Sequence, residues 1–443
     1  MLGSKISQIS CFKILLLVML ATTACSKKSE TQNAQGDVQV QVGLQNADLT
    51  YALQVVTLNG ISKLDEVAGR FVKFFYSPGA TETTVTGSAP HAYFIQASHH
   101  FIPSDFISMQ MATIYYHIQN LAKFDSQVGA DGVNQWPRSI GLETQIIDQS
   151  SESGLQKNNA FYNGQTDSMM FVPFTRENLP ISVNAGIIAH EHFHSLFYKL
   201  LIIPAAKSKK LTTTSASVHA EERSEGRGSQ IATADHPLTE QEKVTIYNET
   251  FLRAINEGFA DFWGWVYTDD PDFIKWSIPE AVESRSLRMM KNSFDLVKAK
   301  DDLRQSVENQ TSNAQLINLA YEVGTPYARF LKSFSEQQAK AKAISSIESK
   351  NIVALVLISF IKDLSSQVQK MKDGETIDPL SLFNYIAQVG AENKLVRLDK
   401  DTCGSLIKYI NLGQTDSTKM SSCKENDGPQ KGQKDSSFVI LKP

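Results

Sequence analysis

From Val38 the chain alternates apolar and polar residues with period two, Val38-Gln39-Val40-Gln41-Val42, which predicts an opening, half-buried strand. Phe106 to Ala122 carries apolar residues at three- and four-residue spacing and ends in polar Lys123-Phe124-Asp125-Ser126, the pattern of a long helix. Its Met and Tyr content reads as core packing. Residues 143–175 read as strands and turns, with Asn163-Gly164 the turn signal between Phe161-Tyr162 and Met169-Met170-Phe171. A helix is expected from about Val183 to Leu201, stopping before Pro204. A polar stretch follows, and helical pattern resumes at Glu240 and runs with breaks to about Tyr409. The apolar run Ile352 to Ile361 is too short to span a bilayer and predicts a buried helix.

These shifts of pattern divide the chain into a leader (1–24), a polar tether (25–37), a mixed N-terminal lobe (38–202) and a polar, disordered insertion (203–245). A mainly helical lobe (246–410) and a flexible tail (411–443) complete it. With 443 residues, 42% hydrophobic and 20% charged, the composition is that of a globular protein large enough for two domains. A net charge of -4 without a basic block excludes a nucleic-acid partner.

Lys5 and Lys13, the apolar run Ile14 to Leu20 and small residues up to Cys25 look like an export signal. Leu20-Ala21-Thr22-Thr23-Ala24-Cys25 resembles a bacterial lipoprotein cleavage site, with Thr22 where Leu is usual. That resemblance implies lipidation of Cys25 and membrane attachment in the cell envelope, at the outer membrane or cell surface; the alternative is a plain secretory signal. Cys403 and Cys423 form an isolated pair that an oxidising compartment would favour as a disulfide, the alternative being two free thiols.

The chemistry centres on His190-Glu191-His192-Phe193-His194, set in an apolar helical stretch. Positions i and i+4 lie one above the other on a helix, so His190 and His194 present two imidazoles to one ion. Glu191 stands beside them, where a general base for a metal-activated water belongs. His192 points about 200° away and is expected to be a surface or second-layer residue. A two-histidine site needs a third protein ligand. Downstream, Asn256-Glu257-Gly258-Phe259-Ala260-Asp261 puts Glu257 and Asp261 on one helical face, one able to bind metal and the other to back a ligand histidine.

The pairing of HExxH with NExxxD resembles the gluzincin peptidases, especially the thermolysin and fungalysin branches. The resemblance implies a two-lobed α+β zincin fold, with a mixed sheet and active-site helix in the N-terminal lobe and the cleft between the lobes. It implies Zn2+ bound by His190, His194 and Glu257, Glu191 as the base, and Asp261 orienting His190. Asn159-Ala160 looks like the edge strand that pairs with a peptide substrate, Arg285-Ser286-Leu287 like the element that holds a substrate carbonyl, and Tyr321 like the oxyanion donor. Tyr247 is similar to a second family tyrosine but stands one position away. Two departures stand out: 62 residues separate His194 from Glu257, far more than is usual, and Gly186 occupies a slot where the family has Asp. The expected activity is zinc-dependent endopeptidase action on peptides or proteins. The alternative is a non-catalytic surface lipoprotein on a degenerate scaffold that binds peptide or cell-wall partners.

Overall fold

The computed structural model describes residues 36–76, 87–146, 154–211, 238–288, 296–309, 313–398 and 440–441. Cys25, Cys403 and Cys423, the leader, most of the tether and nearly all of the tail lie outside these residues. The architecture is α+β, with both sheets mixed.

The opening alternation becomes β1 (Gly36–Gln45), paired antiparallel with β2 (Tyr51–Lys63). Adding β3 (Ala68–Gly69), β5 (Phe94–Ala97) and β6 (His100–Pro103) gives a five-stranded sheet ordered β3-β2-β1-β6-β5. Val38, Val40, Val42 and Leu44 of β1 are all buried, as period-two patterning requires. The second sheet is ordered β4 (Val72–Phe75), β7 (Arg138–Leu142), β9 (Ser168–Phe171), β8 (Ala160–Asn163). Its first three strands run parallel, and β8 returns antiparallel on β9 through the turn that Asn163-Gly164 predicts. Strand β8 is therefore an edge of this sheet.

Helix α1 (Phe106–Gln127) starts at Asp105, whose carboxylate accepts from Ser108 N. Helix α2 (Ala185–Phe197) is buried on every side, so it occupies the middle of the molecule. It does not stop before Pro204: one π-helical turn (Tyr198–Ile202) leads into α3 (Ile203–Lys207), where Pro204 sits in the first turn and sacrifices no needed N–H. The expected insertion is correspondingly shorter. Residues 203–211 belong to the fold, with Ala205 and Leu211 buried, and Thr239 caps α4 (Glu240–Thr268) through a reciprocal capping box with Glu242. Residues 212–237 lie outside the described residues.

After the short α5 (Val282–Arg285), α6 (Leu296–Glu308), α7 (Asn313–Lys342), α8 (Ser346–Lys370) and α9 (Pro379–Glu392) form the helical half. A two-residue ladder joins β10 (Thr376–Ile377) to β11 (Ile440–Leu441). Helix α8 is the one described helix long and apolar enough to cross a bilayer, yet Val353, Leu357, Phe360, Ile361 and Leu364 are fully buried within the protein. Buried side chains from β1 through α9 form one continuous core, so both halves share their apolar packing. Phe259 of α4 is at its centre, with ring centroids of Phe197, Tyr327 and Phe360 at 6.3, 6.1 and 6.0 Å. Truncating such a side chain to Ala costs about 3–5 kcal/mol.

Candidate metal centre

Helix α2 starts where it does because Asn184 caps it: its side-chain oxygen accepts from Gly186 N at 3.1 Å and Ile187 N at 3.3 Å. The amide nitrogen of Asn184 donates to Phe273 O at 2.9 Å and lies 3.0 Å from Ser277 Oγ. Packing explains why residue 186 is a glycine. A Cβ there would stand 2.4 Å from the Phe273 ring, and one at Gly264 would stand 2.9 Å from Gly186 O, so both glycines let α2, α4 and Phe273 meet at contact distance.

Helix α2 presents His190, Glu191 and His194, and their ligand atoms lie within 4.8 Å of one another, all buried. This group could bind a metal ion. The Nε2 atoms of His190 and His194 are 2.9 Å apart, and Glu257 Oε2 of α4 lies 3.4 and 3.9 Å from them. Two nitrogens on one tetrahedral ion with bonds near 2.05 Å stand about 3.3 Å apart, so this convergence is close to what a single ion demands. Asp261, one turn beyond Glu257, accepts from His190 Nδ1 at 2.9 Å, which directs the Nε2 lone pair toward the centre. Burial disfavours a charged His190, but Asp261 and Glu257 outweigh it and push the imidazole up to about 9. Asp261 is buried too, yet Arg285 and His190 hold its carboxyl below the usual carboxylate range.

A pocket opens on this group. Its polar lining is Asn159, His190, Glu191, Arg285 and Tyr321, and its apolar wall is Ala160, Ile181, Ile187, Ile274 and Ile278. The structure thus brings His190, Glu191, His194, Glu257, Asp261, Arg285, Tyr321, Asn159 and Ala160 to one place. Glu257 meets the Nε2 tips of the histidines, Asp261 stands behind His190, and Glu191 lines the pocket. Asn159 Oδ1 accepts from Ala160 N at 2.8 Å, while its buried Nδ2 has no hydrogen-bond partner among the described residues. Helix α7 brings in Tyr321 because Gly324, one turn on, crosses α4 at Gly258, where a Cβ would meet Gly324 O at 2.0 Å.

Arg285 departs from the simple expectation of a hand held out to substrate. Its Nε and Nη2 donate to Asp261 at 3.1 and 2.6 Å, Nη2 lies 3.3 Å from His190 Nδ1, and the guanidinium sits 4.7 Å over the Tyr321 ring. Its first task is to hold Asp261. Tyr247 is absent from the pocket lining; it is a buried aromatic whose hydroxyl burial pushes up, near Asp378 and Arg304.

Of the two places expected for His192, the structure excludes the surface: the residue is fully buried, with Nε2 3.0 Å from both oxygens of Asp125 on α1 and its ring stacked on Trp136. Sequence reasoning missed Asp125, Asn134 and the cap Asn184. An Asn immediately before an apolar helical run is a start signal that would have found the last. No protein-family model matches the chain, and no curated protein matches it.

Proposed function

We propose that the chain is a zinc-dependent endopeptidase of two-lobed zincin architecture, with His190, His194 and Glu257 as the metal ligands. The observation that carries this reading is the convergence of two imidazole nitrogens and a carboxylate beside a pocket that Glu191 lines. Nitrogen and carboxylate donors in this number suit zinc, with a fourth position left open for catalysis. Zinc, when bound, supplies Lewis acidity that polarises a carbonyl and makes water a nucleophile near neutral pH.

The side chains perform the rest. Glu191 takes a proton from the attacking water and delivers it to the leaving amine. Strand β8, an edge strand with Asn159 and Ala160 at its start, offers backbone groups and the Asn159 amide to an extended peptide by β-addition. Tyr321 donates to the oxyanion as the tetrahedral centre forms, and the Arg285 cation beside it adds to the positive potential there. Asp261 keeps His190 in the tautomer that presents Nε2. The lipoprotein-like leader would place this activity on a membrane of the cell envelope.

The test is zinc content and hydrolysis of casein and of short peptides by the purified chain. One zinc per chain with chelator-sensitive hydrolysis supports the reading. A chain that binds zinc and cleaves nothing favours a binding protein on the same scaffold, and a chain that binds no zinc overturns the proposal.

A further inference from the structure

Behind α2, opposite the pocket, lies a second polar assembly that no step of the proposed reaction uses. His192 donates through Nε2 to Asp125 of α1. Asn134, in the loop after α1, stands beside that carboxylate, its Nδ2 at 3.5 Å from Asp125 Oδ2. The Asn134 side-chain oxygen accepts from Lys199 Nζ of the π turn at 3.0 Å and Arg138 Nη1 of β7 at 2.8 Å, and lies 3.0 Å from Ser195 Oγ of α2. Two cationic donors on one atom settle which end of the amide is oxygen. Arg138 and Lys199 then both reach Asp167 in the turn between β8 and β9, at 2.9 and 2.7 Å.

The connectivity is specific. One buried network ties the helix that bears the metal ligands to the turn of the hairpin whose other end bears Asn159 and Ala160. His192 lies two residues from each of His190 and His194, so whatever fixes its rotation about the helix axis fixes theirs. Ser195 adds a second grip next to His194, and its hydroxyl also returns to His192 O at 2.6 Å. We propose that His192, through Asp125 and the Asn134 hub, is a positioning residue that sets the metal-binding face of α2 in register with the substrate-binding edge strand. This inference rests on the metallopeptidase reading and deepens it.

The experiment compares the full chain with His192→Phe, which keeps the stacking on Trp136 but loses the donor, and His192→Gln, which keeps a donor nitrogen at similar reach. Each is stripped of metal, titrated with Co2+ and followed by its visible spectrum, then assayed for peptide hydrolysis with kcat and KM separated. Loss of an outer partner of a metal ligand typically costs about 10–100-fold in metal affinity or activity. The expected result is a loss of that size in His192→Phe, a shifted cobalt spectrum, a rise in KM, and recovery in His192→Gln to within about threefold of the parent. A His192→Phe chain with the parent's affinity and spectrum overturns the inference, and so does equal damage in both variants. If His192→Phe does not fold, Ser195→Ala decides: a weaker, spectrally shifted cobalt site supports the inference and an unchanged one overturns it. A parent chain that takes up no cobalt overturns the metallopeptidase reading itself, and with it this inference.

Discussion

His190 and His192 stand two residues apart on one helix, both buried and both bonded to an aspartate, yet through different ring nitrogens. His190 gives Nδ1 to Asp261, which leaves Nε2, the nitrogen at the tip of the ring, to meet His194 and Glu257. His192 gives that same tip nitrogen to Asp125 and retains only Nδ1, close to its own backbone. A buried His-Asp pair is therefore no sign of a metal ligand by itself. What distinguishes the two is the nitrogen the carboxylate takes and whether further ligand atoms converge on the one it leaves.

The contrast can be broken most sharply on the front face. Glu191→Gln should retain zinc and lose about 10²–10⁴-fold in kcat, the usual contribution of a positioned base. Normal turnover in that variant would remove Glu191 from the mechanism. Next in size is Glu257→Gln, expected to weaken zinc binding by more than the roughly 100-fold that loss of an outer partner can cost; unchanged zinc affinity by competition with a chelator would leave the two histidines with some other third ligand. Tyr321→Phe should lower kcat about 100-fold with KM little changed, because the hydroxyl acts on developing charge. A loss seen in KM alone would make Tyr321 a binding residue.

Smaller effects sharpen the comparison through packing and pH. Gly258→Ala forces a methyl group into the backbone of α7 and should cost about 1–3 kcal/mol or more of stability, read from urea unfolding. Parent-like stability would mean that the helices part easily there. His117 of α1 offers a third arrangement: its Nδ1 meets the Tyr267 hydroxyl at 2.9 Å, and burial lowers its pKa to about 3. A folded pKa below the unfolded value near 6.5 means that the unfolded chain binds the extra proton in between. The stability that neutral His117 represents is thus present above about pH 6.5 and drains away as pH falls toward 3, at up to about 1.4 kcal/mol per unit. His117→Phe should flatten unfolding free energy against pH between 7 and 5 by about 2 kcal/mol, and an unaltered slope would contradict the burial argument.

Much of the fold could be read along the chain because it is written locally. The period-two run at Val38, the spacing from Phe106, the hairpin turn at Asn163-Gly164 and the helix from Glu240 all form where their patterns place them. The metal motifs were legible for the same reason, each lying within five residues of one helix. Three features were not. The end of α2 was misplaced because a π turn carries the helix past the point where Pro204 would forbid an α-helix. The angle of about 200° from the other two histidines leaves His192 either at the surface or in a second layer, and only the packing of α2 on every side decides for burial. The network behind it joins residues from α1, the following loop, β7 and α2, and nothing in a linear pattern couples positions 125, 134 and 192.

The crossing of Gly258 and Gly324 also bears on ancestry. Neither position can gain a side chain unless the helices move apart, and Glu257 and Tyr321 lie one and three residues from the crossing, so any such move would shift the Glu257 carboxylate relative to the Tyr321 hydroxyl. The packing thus ties these spacings to one another. Distant kin of this chain are then to be sought by a sparse signature, Glu-Gly-x-x-Asp on one helix and Tyr-x-x-Gly on another, downstream of His-Glu-x-x-His, rather than by resemblance along the whole length.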